Sequence, residues 1–257
     1  MTTTAPTTGI PRAPMDWTRK TALVAGGFYL LTFVSSIPAA FVFLPPILDN
    51  PDYIVSSGAD TQVTWGLFLD MVNALACIGT AVALFPVVKR QNESLALGFV
   101  TSRVIEAAVI MIGVVSLLAV ITLRQDYAGA NGADAATLVT TGQSLVAVRD
   151  WTFLLGPSLM AGLNALLLGS LMYQSRLVPR IIPTIGLIGA PVLLAATMAT
   201  LFGHIEQLSP VAALAALPVA VWELSLGVYL VVKGFKPSPI TATSVPTVPA
   251  SAPLPVA

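Results

Sequence analysis

Leu95–Leu123 reads LALGFVTSRVIEAAVIMIGVVSLLAVITL. The stretch exceeds the roughly 20 apolar residues that a membrane-spanning helix needs. Arg103 and Glu106 interrupt it near its middle, where an ionised side chain costs about 2.5–3.5 kcal/mol on insertion scales. The two stand at i and i+3, so they share a helix face and can meet, and Ser102 adds a hydroxyl beside them. From Ala107 to Val115 the side chains are otherwise apolar. A helix of this kind turns its polar face away from lipid, towards partner helices or a wet cavity.

The rest of the chain supplies those partners. Of 257 residues 56% are hydrophobic and only 9% charged, against about 25% charged in a soluble domain; with a mean hydropathy of +0.86 this is the composition of a membrane protein. Six apolar runs lie at about 21–44, 63–88, 95–123, 151–173, 182–203 and 210–232. The fold expected is all-α, a six-helix transmembrane bundle in one domain over residues 17–236. The first run is not read as a cleaved signal peptide: Arg19 and Lys20 come late, the run is long, and five more follow. Residues 1–16 and 237–257, rich in Pro, Thr and Ala, cannot build a core and read as disordered tails.

Orientation follows from Lys and Arg in short loops. Arg12, Arg19, Lys20, Lys89, Arg90, Arg176, Arg180, Lys233 and Lys236 fall on one side, while Asp49, Asp52, Asp60, Asp126, Asp134 and Glu206 fall on the other. Both termini are therefore expected in the cytoplasm. Arg124 lies outside the spans and Arg149 at a span entrance. The external segment 124–150 is the longest connection, and Asp134 is placed to cap a short surface helix through Thr137, Leu138, Leu145 and Val146. Trp17, Trp65 and Trp151 suit an interfacial belt, and Trp222, well inside the sixth run, does not. Small residues Ala161, Ala165 and Gly169, and Gly186 and Ala190, recur at four-residue spacing and are read as close helix packing within the chain. Pro157, Pro191 and Pro218 sit within spans, and Pro218 is expected to kink the sixth helix.

Six charged or amide side chains fall inside the apolar runs: Asp70, Asn73, Arg103, Glu106, Asn164 and Glu223. Arg103 is expected to pair with Glu106 in its own helix or with Glu223 across the bundle, and Asn73 and Asn164 to act as interhelical hydrogen-bond glue. Three carboxyls against one guanidinium leave surplus negative charge, so one acid has to carry a proton or meet a cation. That count leaves Asp70 over, and makes it the group best placed to exchange a proton or bind a cation from outside. The structural reading of the same set is a buried salt-bridge network that fixes helix register.

Other chemistries find no support. The one histidine, His204, reads as an interfacial side chain and cannot supply a bis-histidine haem. Cys77 alone makes neither an intrachain disulfide nor a metal site. Gly156-Pro157-Ser158 lacks the nucleophile-elbow pattern. No phosphate loop appears, and no basic block suits nucleic acid. No catalytic set, metal or cofactor is read from the chain.

Several blocks carry a family resemblance: Arg19-Lys20-Thr21-Ala22-Leu23, Gly79 through Arg90, Arg103-Val104-Ile105-Glu106, Trp151-Thr152-Phe153, Val178-Pro179-Arg180-Ile181-Ile182-Pro183 with Gly186, and Trp222-Glu223. Over roughly residues 18–236 the chain resembles an uncharacterised family of bacterial integral membrane proteins, domain of unknown function 4386. The resemblance implies a multi-pass protein of the bacterial inner (plasma) membrane and supplies no mechanism. Two functions remain: a small permease or sensor whose polar core takes a proton, a cation or a small polar solute, and a non-catalytic membrane scaffold or regulatory partner whose buried charges are structural. An intramembrane enzyme comes third.

Overall fold

The computed structural model describes residues 16–56, 58–127 and 133–241. Among these every regular element is helical. α1 (Trp17–Pro38) runs on through a π-helical turn, Ala39–Phe43, as is common where a proline has removed a ladder donor. The short α2 (Pro45–Leu48) and a 3-10 turn at Tyr53–Val55 lead to α3 (Asp60–Val88) and α4 (Glu93–Asp126). α5 (Ala133–Phe153) joins α6 (Ala161–Ser175) through a second π-helical segment, Leu154–Met160, which holds Pro157. α7 (Ile181–Leu201) and α8 (Pro210–Val232) complete the chain.

Side-chain caps start two of these helices. The Asn92 side chain accepts from the Leu95 amide at 3.1 Å, and Glu93 follows in the first turn of α4. Ser209 accepts from the Ala212 amide, with Pro210 at the first position of α8.

Six helices, Trp17–Phe43, Asp60–Val88, Glu93–Asp126, Asp134–Ser175, Ile181–Leu201 and Pro210–Val232, are long and apolar enough to cross a membrane. Their outward faces carry Val34, Phe41, Leu75, Val82, Ile112, Ile188 and Leu214 exposed, a surface that suits lipid. The helices close into a ring: α1 packs on α3, α3 on α4, α4 on α5 and α6, α6 on α7, α7 on α8, and α8 back on α1. At the closure Gly26 and Gly227 cross so tightly that a Cβ on Gly26 would lie 2.8 Å from the Gly227 carbonyl oxygen. Arg19 ties the same seam, donating to the carbonyl oxygens of Leu230 (3.0 Å) and Val231 (2.7 Å) in the last turn of α8. The ends of α1 and α8 thus share one face of the bundle, called the terminal face below. It carries Arg19, Lys20, Lys89, Arg90, Arg176, Arg180, Lys233 and Lys236 on the described residues.

The ridge of small residues is intrachain packing. Ala165 is buried, and a Cβ on Gly169 would meet Leu187 of α7 at 3.2 Å. Gly186 makes room for the indole of Trp222, which is fully buried against it. Trp65 and Trp151 remain half-exposed, as a belt requires, and His204 is exposed in the turn after α7.

Two expectations change. The surface helix expected within 124–150 is not a separate element. α4 continues to Asp126, and α5 runs without a break into the fourth span. Thr, Ser and Gln in this stretch mark where the helix leaves the apolar slab, not where it ends. At 1.5 Å per residue the 42-residue helix Asp134–Ser175 is about 63 Å long, about twice the hydrocarbon thickness of a bilayer. α4 and α5 therefore stand out as a hairpin, with Leu138, Val139, Leu145 and Val146 packed on a core that includes Tyr53, Ile54, Leu117 and Val120. The second change concerns the C-terminal tail. Residues 237–241 are described and packed: the buried Ser238 hydroxyl donates to the Ser175 carbonyl at 2.8 Å, and the Lys236 amide to the Leu177 carbonyl at 2.7 Å. Residues 1–15 and 242–257, the remainder of both expected tails, lie outside the described residues.

Candidate functional site

Arg103 leaves α4 on the face that points into the ring, and 2% of it remains exposed. A guanidinium removed from bulk water needs partners for its N–H groups. One terminal nitrogen donates to Glu106 Oε2 at 3.1 Å and approaches Cys77 Sγ at 3.6 Å. The other donates to Glu223 Oε1 and, at 3.2 Å, to the Tyr29 hydroxyl. Asn164 Nδ2 donates to Glu106 Oε2 at 2.7 Å. The guanidinium also lies over the rings of Tyr29 (5.2 Å) and Phe99 (5.9 Å), where the π face attracts a cation. Two buried polar atoms of the group, Arg103 Nε and Asn164 Oδ1, make no hydrogen bond among the described residues.

The centre therefore joins α1, α3, α4, α6 and α8. Both pairings expected for Arg103 form at once, because Glu106 is held beside it by the helix and Glu223 reaches it from across the ring. Glu106 and Arg103 side chains are 6% and 2% exposed, while that of Glu223 is 15% exposed, so Glu223 is the member through which the centre meets its surroundings.

Asp70 belongs to a second group nearer the opposite face. It is buried, and Arg149 Nη2 donates to its Oδ2 at 3.4 Å. This overturns the expectation that Asp70 is a carboxyl left over. Arg149 is not at an open span entrance but buried on α5, its guanidinium over the Phe153 ring at 5.0 Å. A Cβ on Gly113 of α4 would press on Arg149 Cδ at 2.8 Å and Thr152 Oγ1 at 2.6 Å, so the glycine makes room for the arginine. Asn73 stands one turn from Asp70 on the same buried face, but its side chain makes no hydrogen bond among the described residues, so the interhelical bond expected of it is not formed there.

The two charged groups divide the apolar core into three parts. Leu67, Val114 and Leu117 lie on the far side of Asp70. Ala74, Cys77, Ala107 and Ile110 form a small patch between the groups. Phe99, Leu84 and Trp222 lie on the terminal side of Arg103. Seven residues of α3 separate Asp70 from Cys77, about 10 Å of helix.

A third charged group crowns the opposite face, where Arg124 pairs with Asp60 and donates to the Ser56 carbonyl at 2.9 Å. The Tyr53 hydroxyl donates to Asp60 at 2.8 Å. Burial and this hydrogen bond to a carboxylate hold the phenol well above its usual value, so it stays a donor. Sequence reasoning missed the roles of Tyr29, Cys77 and Arg149 in these groups. Tyr29 and Cys77 sit in apolar runs with no polar neighbour to flag them, whereas the appearance of Arg149 just before an apolar run was a usable signal.

Removing one member of a buried pair costs about 3–5 kcal/mol, because the other charge is stranded. Arg103→Ala strands two carboxylates and should lower the melting temperature in detergent sharply. Arg103→Lys keeps the charge without the planar fork and should lose less. A wild-type melting profile for Arg103→Ala would contradict this geometry.

No curated protein and no solved structure matches the chain. Residues 24–234, the great majority of the chain, match a family described as a domain of unknown function. Every block quoted from the sequence except Arg19–Leu23, and all four ion pairs found among the described residues, fall within that match, and the chain belongs to the DUF4386 family.

Proposed function

We propose that this multi-pass protein is a small permease or sensor whose Arg103 centre takes up a proton or a monovalent cation. One observation carries the reading: two carboxylates, Glu106 and Glu223, share the single guanidinium of Arg103. Asp70 is balanced by Arg149, so the surplus negative charge counted along the sequence resides at the Arg103 centre. An uncompensated charge in an apolar interior is expensive, and one added positive charge neutralises the group. Glu223, the least buried of the three charged side chains, is the group that such a charge would meet first.

A second reading rests on the two terminal nitrogens of Arg103, which are engaged by four side chains from four helices. In that reading the centre is a structural lock and the protein a scaffold or regulatory partner. Proteoliposomes enclosing a dye sensitive to pH, to sodium or to potassium separate the two. A permease dissipates an imposed proton, sodium or potassium gradient severalfold faster than empty vesicles, and Glu223→Gln returns the rate to that of empty vesicles. A sensor gives no flux but shifts the fluorescence of the neighbouring Trp222 with pH or added cation, and Glu223→Gln abolishes the shift. Wild-type protein that does neither leaves the scaffold.

The cationic terminal face supports placing both termini in the cytoplasm of a bacterial cell, with the bundle in its plasma membrane. A cysteine at the exposed Lys236, in a Cys77→Ala background, should resist an impermeant thiol reagent in intact cells. Labelling there reverses the orientation. Gly132, in the loop expected on the outer side, lies outside the described residues, so the opposite probe is a cysteine at the exposed Ala136 of α5, which should label in intact cells.

A further inference from the structure

A groove of about 470 Å³ opens on the outer surface where α7 meets α8. Its walls are Ile182, Leu224, Val228 and Val232, with the hydroxyl-bearing Ser225 and Tyr229, and Lys233 stands at its end. Leu224, Val228 and Val232 are 42, 45 and 62% exposed, so no part of the described chain covers it. From Leu224 to Lys233 is nine residues, about 13–14 Å of helix. That is the depth of one leaflet's hydrocarbon, half of about 30 Å. The groove thus runs from the terminal face to near the middle of the bundle, inside a segment apolar enough to cross a membrane.

Charge decides what sits at its mouth. Lys233 is exposed and joins none of the ion pairs among the described residues. Arg180, also exposed, stands two residues before Ile182 on the other wall. The carbonyls that end α8 would repel an anion, but Arg19 already occupies those of Leu230 and Val231. The terminal face as a whole carries eight lysines and arginines against two acids, Asp16 and Glu93.

We propose that this groove is a binding site for an anionic phospholipid of the leaflet at the terminal face. One acyl chain lies along Leu224, Val228 and Val232, and the phosphate meets the Lys233 ammonium. An apolar slot alone would take any lipid chain. The unpaired ammonium at headgroup depth, beside Arg180, selects for net negative charge.

Native mass spectrometry of the detergent-purified full chain tests this, with phosphatidylglycerol and phosphatidylcholine of identical chains added in turn. Wild-type protein should bind the anionic lipid about fivefold or more tightly than the zwitterionic one, the increment expected for one cation near the surface. Lys233→Glu should abolish the preference and leave residual binding of both lipids. Val228→Trp, a change on the lipid-facing surface, should fill the slot and reduce binding of both. Equal binding of the two lipids by wild type, a preference that survives Lys233→Glu, or binding indifferent to Val228→Trp overturns the proposal. Competition by millimolar inorganic phosphate as effective as by the lipid also overturns it, since the headgroup alone would then be recognised.

Discussion

The burial of one guanidinium constrains this bundle more than any other interaction. Arg103 cannot be left dry and unpaired, because a lone charge in a low-dielectric interior carries several kcal/mol of desolvation cost. Its partners are drawn from α1, α3, α4 and α8, with α6 engaged through Asn164 and Glu106. A rotation or slide of any of these helices that withdrew its partner would strand a polar atom. Apolar packing between transmembrane helices sets no such demand, since lipid tails solvate leucine as well as another helix does. Register in this ring is therefore fixed by the polar centre, and the closely packed small residues then let the backbones settle at short distance.

The second charged layer repeats the device at another depth. Asp70 on α3 meets Arg149 on α5, and α5 is continuous with α6, which carries Asn164 to the first layer. The helix between these two contacts contains the π-helical segment Leu154–Met160. Gly156 within it packs on Val109, with the Glu106 carbonyl close by. One continuous helix thus holds a residue of each layer, and the wider π turn sets the angular offset between them. The layers differ in charge: the Asp70 pair is balanced, and the Arg103 group holds one carboxylate too many. That difference separates a structural pair from a group with room for a ligand charge.

Much of this was legible in the sequence. Arg103 and Glu106 at i and i+3 announced their own pairing, and Glu223 was the acid at matching depth on another span. Asn164 was expected as glue and bonds Glu106. The misreading of Asp70 has a physical origin. Arg149 was assigned to an interface because the apolar run begins after it, yet hydropathy reports where lipid contact starts, and a helix can bury a charge beyond that point by packing against neighbours. The same cause hid the length of α5. Tyr29 was invisible because a phenol inside an apolar run looks like any aromatic core residue until a cation is seen beside it. Trp222 was noted as unsuited to a belt, and only the fold shows Gly186 as its seat.

The central claim is that Arg103 and Glu223 form a desolvated pair across the ring, and a double-mutant cycle measures it directly. Arg103→Met, Glu223→Gln and the double variant are unfolded reversibly in the same detergent as wild type. The account predicts a coupling energy of at least about 1.5 kcal/mol, the lower range for close, desolvated charge pairs, with the double variant more stable than the sum of the single losses implies. A coupling near zero, as for pairs open to solvent, would show that the two side chains do not depend on each other and would contradict the account.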